Sequence, residues 1–272
     1  MTPSSDTASP SDLVRQIGVI SATCFMIVAA MVGTGLFGGT NVRDLQGGAL
    51  DADATVLAPD RPAFGIWTVI YLLMIGYTVW QALPGQRARE RQRAAGWWVA
   101  ASAVLNGGWL LASQFLNLVA TVVAIILLLV VLGATLRVLS RHRPDSLVDV
   151  VLLDGTVGLH LGWVSLATVA NITAWLTTEV APPSWAAYQD GAGIAVLVVV
   201  ALVGLALAWR TGGRIAPALA MAWGLVWIGV ARTTGEPASN AVGITAFVVA
   251  AVVLIAAVAA RLSSRGRSAV PR

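Results

Sequence analysis

Long uncharged runs of apolar residues constrain this chain more than any other feature. Stretches such as 118–136 and 192–209 contain no charged residue, and about 20 such residues span ~30 Å of hydrocarbon at 1.5 Å per helical residue. Only 11% of the 272 residues are charged, against 57% hydrophobic. A soluble domain carries about 25% charged residues. The fold class expected is therefore an all-α integral membrane protein. Eight transmembrane helices are read at 17–38, 63–83, 96–115, 117–137, 150–176, 192–209, 215–231 and 241–260. Residues 1–16, whose start is rich in Ser, Thr, Pro and Asp, read as a disordered tail, and 263–272 as a second tail.

The charges order these spans. All 17 basic residues are Arg. With the N-terminus inside, fourteen of them fall in inner segments and three, Arg43, Arg61 and Arg232, in outer ones. The positive-inside rule then places both termini in the cytoplasm. The composition suggests a high-GC bacterial genome, hence a bacterial cytoplasmic membrane. Arg87, Arg89, Arg91 and Arg93 read as a solvated topology anchor rather than a nucleic-acid site. Asp149 and Asp154, on the inner turns of the fifth span, read as structural, within reach of Arg141 and Arg143. The longest loop, 39–62, lies outside and has the length of a lid.

Absences exclude whole classes of chemistry. Without Lys there is no retinal or pyridoxal Schiff base and no P-loop lysine. One cysteine, Cys24, cannot form an internal disulfide or a haem-attachment motif. His142 and His160 are the only histidines, so no multi-histidine metal site exists. There is no nucleophile–base pair in a span, so catalytic residues are not assigned.

Polar and aromatic residues recur at helical spacing on three spans. Phe64, Trp67, Tyr71, Met74 and Thr78 form one stripe; Ser102, Asn106, Trp109 and Ser113 a second; His160, Trp163, Ala167, Asn171 and Trp175 a third. Helix direction and rise bring the three to overlapping depths, from the midplane outward. Polar groups in a bilayer are costly, so such faces turn inward, either as interhelical hydrogen bonds or toward a ligand. Aromatic walls with a few polar groups suit a flat amphipathic ligand. Trp80, Trp97, Trp98, Trp175, Trp185 and Trp209 lie near helix ends and read as an interfacial belt. Trp223 and Trp227 lie deeper and read as packing residues, or as a second aromatic wall.

Three segments carry a family resemblance. PAFGIWTVIYLLMIGYTVWQALPG (62–85), LNGGWLLASQF (105–115) and GLHLGWVSLATVANITAWL (158–176) resemble the second, third and fifth helices of the translocator protein / tryptophan-rich sensory protein (TspO/MBR) family. The resemblance covers about residues 17–178 and implies a five-helix ligand-binding bundle. The three helices within 190–262 would be a C-terminal extension, as in a longer branch of the family. It further implies a pocket under the first loop for a tetrapyrrole such as porphyrin or haem, and a homodimer. By this resemblance Trp67, Tyr71, Asn106, Trp109, Trp163 and Asn171 face the ligand. His160 joins them where the family has a tyrosine, as a candidate axial haem ligand. No resident cofactor or metal is assigned. The first loop lacks the family's tryptophans, and the sterol pattern of Leu/Val, Tyr and Lys/Arg is absent. The expected function is a membrane binding protein or sensor for a tetrapyrrole or similar planar amphiphile. The alternatives are a small-solute or tetrapyrrole transporter and, third, a porphyrin-degrading enzyme.

Overall fold

The computed structural model describes residues 8–268, with side chains described to residue 264. Among the described residues there are only helices, turns and loops, with no strand. Eight long helices are present: α1 Pro10–Gly33, α2 Ile66–Ala82, α3 Glu90–Phe115, α4 Leu118–Arg141, α5 Leu147–Val180, α6 Gln189–Arg210, α7 Ile215–Thr234 and α8 Asn240–Ser268. Seven are long and apolar enough to cross a membrane. The exception is α3, at the expected span 96–115. It begins with Glu90, Arg91, Gln92 and Arg93 and buries Ser102, Asn106 and Ser113, so it is less apolar than the other seven. Its flanks are covered by α1 and α4.

Three boundaries move. Residues 10–16, expected in a tail, form the opening turns of α1. Ser9 caps them through a capping box with Asp12, and Pro10 occupies the first turn, where a missing N–H is harmless. Helix α8 likewise continues into the expected second tail, to Ser268. Helix α5 widens into π-helical turns at Val150–Gly155 and Leu176–Val180, either side of the regular stretch Thr156–Trp175.

The first five helices close a ring. Helix α1 packs on α2 and α3, α3 on α4, α4 on α5, and α5 back on α2. Helix α7 then docks on α5 from outside the ring, α8 on α7, and α6 on α8. The α5–α7 contact depends on Gly162, where a Cβ would lie 2.2 Å from the Pro217 carbonyl oxygen. Small residues let membrane helices approach closely enough for packing to hold them. The N-terminal core holds aromatic and polar groups such as Tyr77 and Trp163 beside its aliphatic residues; the C-terminal one is built of Ala, Val, Leu, Ile and Met.

The Arg-rich end of the ring is not a solvated anchor. Arg91 is 4% exposed and pairs with Asp149 and Asp154, and Arg214, the residue before α7, also reaches Asp154, at 2.6 Å. These take the place of the expected partners Arg141 and Arg143; Asp154 lies in the wide turn of α5 and Asp149 just before it. Asp12 takes Arg15 and Arg93, and the Gln16 amide donates to the Gln81 carbonyl. Charges withdrawn from water are tolerable only when paired, and these pairs join α1, α3, α5 and the residue before α7, with Arg15 Nε and Asp149 Oδ1 left without a hydrogen-bond partner.

Candidate functional site

At the opposite end lies a cavity of about 70 Å³. Helix α2 supplies Phe64, in its preceding 3-10 turn, and Trp67. Helix α3 supplies Asn106 and Trp109; α4, Ile125 and Leu128; α5, Trp163, Val164, Ala167 and Asn171. The three sequence stripes therefore converge as expected. Helix α1 contributes no lining residue, although the pocket was expected among the first five helices. Phe25 and Met26 of α1 pack at Gly107, and its Ala29 and Ala30 pack in a cluster with Tyr71 and Trp109, without reaching the cavity. Helix α7 takes part instead, with Gly224 and Ile228. Gly224 permits this: a Cβ there would lie 2.7 Å from Leu166 and 3.3 Å from the Trp163 ring.

The aromatic wall is interlocked. Trp163 meets Phe64 and Trp67 edge to face, with ring centres 5.7 and 6.1 Å apart. Tyr71 stacks on Trp67 and donates its hydroxyl to Asn106 Oδ1. Tyr71 thus supports the wall without lining the cavity. Several polar groups satisfy one another across helices: the Trp109 indole donates to Asn171 Oδ1, and Asn171 Nδ2 donates to Thr121. Others are left over. The Trp163 indole nitrogen and both ring nitrogens of His160 are buried with no hydrogen-bond partner. His160 sits edge-on against Trp67, centres 5.7 Å apart, and does not line the cavity. Buried unpartnered polar atoms are uncommon and mark either strain or a missing partner.

The roof is the loop before α2, and it is fastened to the C-terminal helices. Val56 and Leu57 are buried in the C-terminal core. The Arg232 guanidinium of α7 donates to the Ala52 carbonyl, the Trp223 indole to the Ala63 carbonyl, and the Asp60 amide to the Trp227 carbonyl. Within the loop Arg61 grips Asp51 through two hydrogen bonds, which hold the Asp51 carboxyl below the usual carboxylate range against the opposing effect of burial. Trp223 and Trp227 are in edge contact 5.6 Å apart; Trp227 packs against the core, as expected of a packing residue, while the Trp223 indole anchors the roof. Sequence pattern could not reveal this, because two of the acceptors are loop carbonyls whose position no side chain encodes. The described residues hold no cluster of His, Cys, Asp and Glu suited to a metal ion.

A ring of five helices around an aromatic cavity, roofed by a loop and buttressed by three further helices, defines a polytopic helical membrane protein with an internal apolar site. The chain belongs to the TSPO-like protein family, whose model matches residues 15–259. The match runs through α7 and into α8. The chain matches no curated protein and no solved structure.

Proposed function

We propose that the protein is a membrane-embedded binding protein or sensor for a tetrapyrrole or a similar planar amphiphile. The observation that carries this reading is the convergence of Trp67, Trp109 and Trp163, from three helices, on one closed cavity beside the Asn106 amide. Indole faces suit a flat π-system, and Asn106 and the unpartnered Trp163 N–H offer it polar contacts. Pockets for ligands of this size run to about 300–1,000 Å³, so a tetrapyrrole would need more room than the 70 Å³ present. Binding needs the aromatic wall or the roof to give way. His160 stands behind Trp67 and reaches a bound metal only when that indole turns aside. On the Arg distribution, the roofed end faces outward from a bacterial cytoplasmic membrane, with eight spans and both termini inside.

Titration with protoporphyrin IX in nanodiscs tests the reading. Tryptophan fluorescence should quench saturably, and Trp67→Ala should weaken affinity about tenfold, the equivalent of ~1.4 kcal/mol. Quenching that rises linearly without saturation, in folded protein, removes it.

A further inference from the structure

We infer that the ligand enters from the lipid, through a groove between α2 and α7, and that the Phe64 ring is the door. This rests on the binding function proposed above and concerns its route. The groove encloses about 500 Å³ and is lined by Gly65, Ile66 and Val69 on the α2 side, Leu159 of α5, and Leu219 and Trp223 among residues of α7. Apart from the Trp223 indole N–H, which is already spent on the roof, those side chains offer nothing polar. The groove therefore suits a ligand dissolved in the bilayer.

Two further observations join it to the cavity. The linings alternate along the chain. Phe64 and Trp67 face the cavity while Gly65 and Ile66 face the groove; Trp223 faces the groove while Gly224 faces the cavity. The partition is thus one layer of side chains. Among the cavity's lining residues Phe64 alone is exposed, at 40%, while its partner in the partition, Trp163, is 2% exposed. A phenyl ring in edge contact on one side and exposed on the other can change rotamer at small cost, on a picosecond-to-nanosecond scale when unhindered.

The competing route from water is obstructed. It requires parting the roof from α7, which breaks the Ala52, Ala63 and Asp60 hydrogen bonds and withdraws Val56 and Leu57 from their core. In the groove, α2 and α7 are both held by α5. Of the three roof bonds only that from Trp223 to Ala63 borders the groove, so the groove can widen at the cost of that one bond, with the Ala52 and Asp60 bonds intact.

Gly65→Leu isolates the route. A Cβ at Gly65 meets no atom within 4 Å, and its φ of −56° suits any L-residue, so the variant folds with its groove filled. Stopped-flow tryptophan quenching by protoporphyrin IX, with protein in nanodiscs, is the measurement. Gly65→Leu should slow association and dissociation together by tenfold or more and leave Kd unchanged. Phe64→Ala should speed association, and Arg232→Gln, which frees Ala52 of the roof from α7, should leave it unaltered. Wild-type association rates in Gly65→Leu, or faster association in Arg232→Gln than in Phe64→Ala, would overturn lateral entry while leaving the binding function intact. Failure of the unaltered protein to quench saturably would instead remove the binding function, and the route with it.

Discussion

The two ends of the five-helix ring handle buried polarity in opposite ways. At the Arg-rich end charges are matched across helices: Arg91 lies between Asp149 and Asp154, and Asp12 between Arg15 and Arg93. At the roofed end the interior polar groups are mostly neutral, with both His160 nitrogens and the Trp163 and Trp227 indoles left unpartnered. Neither end is fully matched, for Arg15 Nε and Asp149 Oδ1 at the base also lack a hydrogen-bond partner. The difference is one of kind: ion pairs between helices hold the base, while neutral hydrogen bonds and ring contacts hold the top, so the base is the costlier end to disturb.

The comparison can be broken most sharply at the base. Arg91→Met leaves Asp149 buried without its counter-ion and should lower stability by about 3–5 kcal/mol, read as a large fall in unfolding temperature in detergent. An effect under about 1 kcal/mol would mean that water enters that end and that the network is not rigid. At the top, Asn171→Leu removes the acceptor for Trp109 and the donor to Thr121, and should cost less, about 1–3 kcal/mol. Equality of the two losses in the same unfolding assay would erase the distinction between the ends. The smallest effect belongs to His160→Leu. It exchanges two unpartnered nitrogens for an apolar side chain, so stability should be unchanged or rise slightly, within about 1 kcal/mol. A clear destabilisation would show that the imidazole has a partner after all.

How far these features can be read in the sequence follows the same division. The site stripes are local: Trp67, Asn106, Trp109, Trp163 and Asn171 announce their shared faces by spacings of three and four, and the structure places all five on one cavity. The base is long-range. Nothing near Arg91 in the chain indicates that its carboxylates lie on the fifth helix, one just before a wide π turn and the other inside it. The capping box at Ser9 was local too, but sits in a segment whose Ser and Pro content resembles a tail. Least legible is the partnership of roof and α7. Arg232 carries the appearance of a topology charge, yet it is 1% exposed and spends its guanidinium on the Ala52 and Pro237 carbonyls.

The order of helices around the ring bears on how the protein is made. Chain order and neighbour order disagree, for α2 and α3 follow each other in synthesis but are separated by α1 on one side and by α4 and α5 on the other. Arg91 is translated 63 residues before Asp154, and Trp109 62 residues before Asn171. An emerging nascent chain thus carries an arginine and an indole to the translocon before either has a companion. Insertion must keep the first four helices in a sheltered, hydrated setting until the fifth arrives, and the ring can snap shut only then.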